Sequence, residues 1–179
     1  YTGKEAHASA FPERGINAAD ALTVAQTAIG LLRQHIQPTD RIHGIITKGG
    51  DAPNIIPART TAKYMVRAQS LDELEEIRSK VRRCFEAGAL ATGSTLEIAG
   101  GGKPYSQMNH DGEVAALYRR NAEAIGRVFP DLGPLLERAA ASTDMGNISL
   151  ALPSIHPMIG IASLPAVNHQ PEFTAHCVS

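Results

Sequence analysis

The spacing of hydrophobic residues predicts two helices within the first hundred positions. In each of them, apolar side chains recur every three or four residues, which is typical of a helix buried along one face. The first set is Leu22, Ala25, Ile29, Leu32 and Ile36. The second set is Leu74, Ile77, Val81, Cys84 and Phe85. Asn17 is the expected N-cap of the first helix, and Ser70 with Glu73 forms a capping box before the second.

Four strands are predicted around these helices, at residues 1–8, 42–47, 58–68 and 95–99. In the third, residues alternate between a small, apolar set and a long, cationic set that ends at Arg67. The apolar face should pack on the helices, so Arg67 should lie on the open face. The element order predicts a two-layer, ferredoxin-like α+β domain with a four-stranded antiparallel sheet and both helices on one face.

A glycine triplet, Gly100–Gly102, marks a change of composition after this domain. It lacks the Lys-Ser/Thr that follows a phosphate-binding glycine loop, so we interpret it as a hinge or linker. The pattern then predicts a helix from Val114 to Val128 stopped by Pro130, a short helix at 135–140, an apolar strand at 155–162 and a last helix opened by Pro171. These elements are too few for a domain of their own. We therefore expect residues 101–179 to be part of a larger α/β domain whose remainder lies outside this chain.

The composition excludes several classes of partner. Of the 179 residues, 43% are hydrophobic and 20% are charged, and the net charge is −1. This balance offers no basic surface for nucleic acid, and no apolar run is long enough to cross a bilayer. No signal peptide opens the chain, and Cys84 and Cys177 make neither a disulfide framework nor a metal motif. We therefore expect a cytoplasmic protein that binds neither nucleic acid nor membrane.

Four polar residues are candidates for chemistry. His7 lies among small residues at the end of a strand, Asn54 opens the run Asn-Ile-Ile-Pro, and Arg67 ends the cationic face. His169 follows Asn168 near the end of the chain. Taken singly, each has a structural explanation, such as a solvated loop histidine or a solvated arginine on a sheet face. Three longer motifs favour a functional interpretation of these residues over a structural one.

These motifs are Gly-Lys-Glu-Ala-His-Ala-Ser-Ala-Phe-Pro at 3–12, Gly-Ile-Asn-Ala-Ala-Asp-Ala at 15–21 and Ser-Thr-Asp-Met-Gly-Asn-Ile-Ser at 142–149. Together they resemble the zinc amidohydrolases of peptidase family M20 (clan MH), in particular the branch that holds p-aminobenzoyl-glutamate hydrolase and the M20-domain dipeptidases. The resemblance runs across nearly the whole chain. It implies a lid, or dimerisation, domain at residues 1–100 and the C-terminal part of an incomplete metallopeptidase catalytic domain at 101–179.

The resemblance also implies a role for each candidate residue. His7 matches the lid histidine that reaches across the dimer and polarises the scissile carbonyl, a role suited to a donor aimed at a developing oxyanion. Asn54 and Arg67 match lid residues that bind the backbone and the carboxylate of the substrate, and a guanidinium can grip a carboxylate with two parallel bonds. His169 matches the C-terminal metal-ligand histidine.

Zinc, or another divalent metal such as manganese, is the implied cofactor, and most of its ligands would come from residues absent from this chain. One histidine cannot hold zinc, which needs three or four ligands. Asp144 would orient backbone near the site or cap a helix. His156 and His176 would be structural.

The implied activity is hydrolysis of the amide bond of an N-acyl amino acid, an aminobenzoyl-glutamate-like compound or a dipeptide. A homodimer formed through the lid is also implied, with residues 42–47 at or beside a sheet edge that favours edge-to-edge pairing. Because the segment that supplies the general base and most metal ligands is absent, we expect the chain to be an inactive fragment by itself. The alternative is a non-catalytic dimerisation or small-ligand-binding module, since two-layer α+β folds also serve in that way.

Overall fold

The computed structural model describes residues 1–129, 133 and 143–178. These residues form two compact units, one of residues 1–107, 133 and 143 and the other of residues 108–129 and 144–178. The short helix predicted at 135–140 lies outside the described residues. Within the described part of the chain, every helix is too short or too polar to cross a membrane.

Two long helices dominate the first unit, as the hydrophobic spacing predicted. Helix α1 spans Ala18–Leu32, and the side-chain oxygen of Asn17 caps it by accepting a hydrogen bond from the Ala19 N–H at 2.9 Å. Helix α2 spans Leu71–Thr92. Its predicted capping box is confirmed, because the Glu73 N–H donates to Ser70 Oγ at 3.3 Å and the Ser70 N–H donates to the Glu73 carboxylate at 3.1 Å.

The two helices pack on one face of an antiparallel pair of strands. Strand β1 spans Arg41–Lys48 and strand β2 spans Thr61–Arg67. The predicted alternation of β2 is confirmed, because Tyr64 and Val66 pack against the core whereas Met65, between them, is 55% exposed. The sheet therefore has one face covered by helices and one open face.

The core of the first unit lies between the helices and this sheet. Its buried aliphatic cluster draws on α1, β1 and α2, and consists of Ile29, Ile42, Ile77 and Val81. Cys84 packs against this cluster and is half-buried, and burial raises the pKa of its thiol. The Tyr1 hydroxyl donates to the Phe85 carbonyl at 2.8 Å, and burial raises the pKa of Tyr1 to about 12.

The predicted four-stranded sheet is not confirmed, because among the described residues the sheet consists of the two strands β1 and β2. Residues near Thr2 instead make isolated bridges, in which Thr2 lies between Arg59 and Thr95. Thr2 and Thr95 exchange two backbone hydrogen bonds of 2.9 and 2.8 Å, but two residues later Lys4 pairs with Ile16. A ladder needs consecutive pairs with the same neighbour, and this segment changes its neighbour from pair to pair.

The second unit contains one long helix, α3, which spans Gly112–Ala124. Asp111 caps it, since the Val114 N–H donates to Asp111 Oδ1 at 2.8 Å. The helix ends before Pro130, where the sequence placed its stop. Gly126 has a φ of 88°, a left-handed conformation that terminates helices and that glycine adopts without a steric penalty.

The remainder of the second unit departs from the sequence prediction in two places. After the short helix α4, Met145–Ser149, the apolar run at 155–162 is not a strand, and Met158 and Ile159 are 85% and 56% exposed. A run of this kind requires pairing partners, and the described residues provide none for it. The second departure is in the type of the last helix: the helix opened by Pro171 is present, but it is a 3-10 helix, Pro171–His176.

Candidate functional site

His7 lies on a loop that the backbone closes at its base. Lys4 and Ile16 exchange two backbone hydrogen bonds of 2.9 Å each, which brings together the two ends of residues 5–15, here called the His7 loop. Gly3 permits this closure, because a Cβ at that position would lie 2.0 Å from the Ile16 carbonyl oxygen. The loop also contains a 3-10 turn, Pro12–Arg14.

Within the loop, His7 begins a single turn of helical backbone. Its carbonyl accepts a hydrogen bond from the Phe11 N–H at 3.1 Å. Its ring nitrogen Nδ1 accepts from the N–H groups of Ser9 and Ala10 at 3.3 and 3.2 Å, and Ser9 Oγ lies 3.2 Å from the same nitrogen. The imidazole therefore acts as the cap of this turn, in the manner of an N-cap side chain. His7 is exposed, and Nδ1 is the ring nitrogen that contacts the turn.

Asn54 lies beside His7, although 46 positions separate them in the sequence. The segment after Asn54 pairs with the His7 segment in an antiparallel bridge between His7 and Ile55. On one side of this bridge, the Ala8 N–H donates to the Asn54 carbonyl at 3.0 Å. On the other side, the Ile56 N–H donates to the Ala6 carbonyl at 2.9 Å. The exposed side chains of His7 and Asn54 thus belong to one part of the surface.

Arg67 lies at the far end of β2, on the open face of the sheet as predicted. Directly across the sheet it faces Arg41, whose guanidinium donates to the Asp40 carbonyl at 2.7 Å. Arg67 Nε is buried without a hydrogen-bond partner among the residues that the structure describes. Two like charges opposed in this way destabilise a strand pair, and a bound anion would relieve that repulsion.

The structure does not bring Arg67 to His7. Residues 61–67 form the extended strand β2, and Ile55, the neighbour of His7, precedes this strand in the chain. Six residue steps at the rise of a β-strand amount to about 20 Å. Arg67 therefore lies about 20 Å from Thr61, at the opposite end of β2, and this separation exceeds the length of a dipeptide.

His169 lies in the second unit. It occupies an exposed turn in which the Gln170 N–H donates to the Val167 carbonyl at 3.2 Å and the Val167 N–H donates to the Gln170 side chain at 3.0 Å. Its φ of 68° is a left-handed conformation that residues other than glycine adopt infrequently. Strained backbone of this kind is concentrated at functional sites.

The implied metal is not accommodated by the described residues alone. Across residues 1–129, 133 and 143–178, no three His, Cys, Asp or Glu side chains cluster so as to hold a metal ion. His169 could supply one ligand, and His156 and His176 are both exposed. Asp144 precedes α4, and its carbonyl accepts from the Asn147 N–H at 3.1 Å. A metal bound at His169 would therefore need further donors from outside the described residues.

Sequence reasoning overlooked the two residues that contact the His7 ring. Ser9 and Ala10 entered the prediction as small neighbours that leave His7 accessible. Their N–H groups hold its Nδ1, and the available signal was that small residues permit a tight turn directly after His7.

Comparisons with known proteins connect this geometry to peptidases. The profile described as a peptidase dimerisation domain matches residues 1–92. Mouse Xaa-Arg dipeptidase is 40% identical over 174 residues, which are 97% of this chain and 40% of that protein. One of the subunits of p-aminobenzoyl-glutamate hydrolase from Escherichia coli is 35% identical over 98 residues, which are 54% of this chain and 20% of that protein.

A solved structure supports the fold. The crystal structure of aminopeptidase PepT from Bacillus cereus matches with a TM-score of 0.57 and 24% identity, over 83% of this chain and 38% of that one. At this identity the likeness concerns the mixed α/β fold with its antiparallel sheet and helices. The chain spans about two fifths of the length of the mouse dipeptidase that it matches.

Proposed function

Since the chain belongs to the M20 peptidase family, we propose that it is part of a metal-dependent amidohydrolase or dipeptidase. Residues 1–100 would be its lid, or dimerisation, domain, and residues 101–179 the C-terminal part of its catalytic domain. The substrate would be a dipeptide, an N-acyl amino acid or an aminobenzoyl-glutamate-like compound. The names of two relatives, a dipeptidase and an aminobenzoyl-glutamate hydrolase, support this range. The isolated chain would be inactive.

The observation that carries the proposal is the setting of His7. Its ring is anchored through Nδ1 to the turn that follows it, and the residue is exposed, so Nε2 on the opposite edge would be the nitrogen available to a substrate. A donor fixed in this way can meet the carbonyl oxygen of a scissile amide and stabilise the negative charge that develops there. One such donor typically contributes about 2.7–4 kcal/mol to transition-state stabilisation.

Arg67 would bind the free carboxylate of the substrate. The buried, unpartnered Nε and the opposed charge of Arg41 both favour an anion at this point. Asn54, next to His7, would hydrogen-bond the substrate backbone. Because His7 matches a lid histidine that reaches across the dimer and Arg67 lies at the far end of β2, we infer that a complete site takes His7 from one protomer and Arg67 from the other.

The lid would form that dimer through β1. Among the described residues, β1 pairs with β2 on one side, and its other edge is unpaired. An unpaired edge carries backbone donors and acceptors that a second copy can satisfy about a two-fold axis. Ile45 and Ile46 on β1 are 64% and 48% exposed, which adds apolar area to such an interface.

Metal and general base would come from elsewhere in the complete enzyme. His169 would be the one ligand that this chain contributes to a zinc or manganese centre. His7, Asn54 and Arg67 would act on the substrate itself.

The proposal is tested by steady-state kinetics of the complete enzyme. His7→Ala should lower kcat about a hundredfold or more and lower the free energy of unfolding by only about 0.5–2 kcal/mol, the usual cost of a lost cap, because His7 is exposed and caps a single turn. Arg67→Ala should mainly raise KM, because a carboxylate grip serves the ground state and the transition state alike.

His35, an exposed histidine after α1, provides the matched control, and His35→Ala should leave both constants unchanged. If His7→Ala did not change kcat, the result would favour the alternative, in which the lid is a non-catalytic dimerisation module. Unfolding of His7→Ala would make the histidine structural instead.

A further inference from the structure

The groups that surround His7 Nδ1 differ in whether they can accept a hydrogen bond as well as donate one. The N–H groups of Ser9 and Ala10 can only donate, and both point at Nδ1, at 3.3 and 3.2 Å. Ser9 Oγ, at 3.2 Å from the same nitrogen, can donate or accept. In a neutral imidazole one nitrogen carries the proton and the other accepts. Nδ1 must therefore be the acceptor, which leaves the proton on Nε2.

We propose that Ser9 and the Ala10 amide act as a tautomer clamp on His7, and that Ser9 is a positioning residue for it. The clamp holds the lone pair of Nδ1 toward the loop backbone, so that Nε2–H is the nitrogen presented outward. The Ser9 hydroxyl completes the clamp by donating to Nδ1. The meaning of the clamp for catalysis rests on the proposed function of His7, whereas the tautomer itself does not.

The tautomer matters because the two forms have opposite effects on a developing oxyanion. Nε2–H donates a hydrogen bond to it, whereas an unprotonated Nε2 presents a lone pair and repels it. A hydrogen bond at one ring nitrogen is the usual means by which proteins fix which form the other nitrogen takes. In this chain the partner is the backbone two and three residues later, so the device is contained within the His7 loop.

Nitrogen-15 NMR of the imidazole side chains tests the clamp directly, because protonated and unprotonated ring nitrogens have distinct shifts. We expect the ratio of Nε2–H to Nδ1–H tautomer at His7 to exceed that at exposed His35 by at least about tenfold, as two added hydrogen bonds imply. The spectrum is recorded at about pH 9, where an ordinary imidazole is neutral.

Three variants of the chain test the donors. Replacing Ala10 by its α-hydroxy acid turns its N–H into an ester oxygen with little change of shape, and should lower the ratio at His7 about fivefold. Ser9→Ala should lower it by a smaller factor, and Ser9→Thr, which keeps the hydroxyl, should restore it. A ratio at His7 equal to that at His35, or one unmoved by the ester, would overturn the clamp.

Kinetics of the complete enzyme separate this inference from the proposed function. With the clamp, the Ala10 ester should lower kcat severalfold and leave KM unchanged. If the ester shifts the tautomer but not kcat, the clamp stands and the catalytic role of His7 fails. If the tautomer does not shift, the clamp fails whatever the kinetics of His7→Ala.

Discussion

The contact between α1 and α2 allows a quantitative prediction about a single glycine. Gly88 of α2 is buried against Ala21 of α1, and a Cβ at Gly88 would lie 2.2 Å from the Ala21 carbonyl oxygen and 2.8 Å from the Tyr1 hydroxyl. The oxygen belongs to a helix backbone, so Gly88→Ala must displace α1 by about 1 Å. Overpacking of this kind typically costs about 1–3 kcal/mol, and the better helix propensity of alanine offsets about 1 kcal/mol of it.

Gly30 provides the matched control, because it is exposed on α1 and a Cβ there would meet nothing within 4 Å. Gly30→Ala should therefore stabilise the chain by about 0.5–1 kcal/mol. Urea denaturation followed by far-ultraviolet circular dichroism measures both variants. Since each gains a similar helix propensity, the gap between them isolates the close approach and should be about 1–3 kcal/mol. Equal stability of the two variants would refute this packing of α1 on α2.

Three further predictions concern ionisation and assembly. The pKa of Tyr1 in the folded chain is about 12, above the usual 10. Tyr1 should therefore contribute stability below pH 10 that is lost as the pH rises toward 12. Alkaline unfolding of Tyr1→Phe should lack this component. Cys84, whose thiol pKa is raised by burial, should react with a thiol reagent at least about tenfold more slowly than exposed Cys177, as single-cysteine variants would reveal by mass spectrometry. Ile45→Pro and Ile46→Pro should have different effects, because the N–H groups of adjacent residues in β1 point to opposite edges of the strand, one toward β2 and one toward the unpaired edge. The variant that loses the N–H at the unpaired edge should keep its fold and lose dimerisation. Sedimentation that shows both variants as folded dimers would contradict the β1 interface.

The elements that the sequence predicted well are those determined by local contacts. The capping box of Ser70 and Glu73 lies within one turn, and the apolar stripe of α1 has a period that no distant residue alters. Errors occurred where a partner far along the chain decides the outcome. The apolar run at 155–162 has the composition of a strand, but composition does not specify what it pairs with. The early end of α3 at Ala124 depends on one glycine, Gly126, within an otherwise helical pattern.

In the candidate site, too, the features determined by local sequence could be predicted and those determined by distant residues could not. The open-face position of Arg67 follows from period-two alternation and was predicted from β2 alone. The proximity of His7 and Asn54 arises from the bridge between His7 and Ile55. These residues are far apart in the sequence, and no periodic pattern of residues indicates that they pair. The contacts of Ser9 and Ala10 with the His7 ring depend on the backbone of one turn, which small residues permit without specifying.

A mixed-dimer experiment with two residues of this chain tests the central claim, that each site combines His7 of one protomer with Arg67 of the other. The complete enzyme carrying His7→Ala is mixed with the enzyme carrying Arg67→Ala, and the protomers are allowed to exchange. A mixed dimer then has one site with both residues intact, and random exchange should restore about a quarter of the wild-type activity. Exchange of His7→Ala with the double variant creates no intact site and should restore nothing. Activity that stays at the mean of the two parents, although mixed dimers form, would contradict the claim.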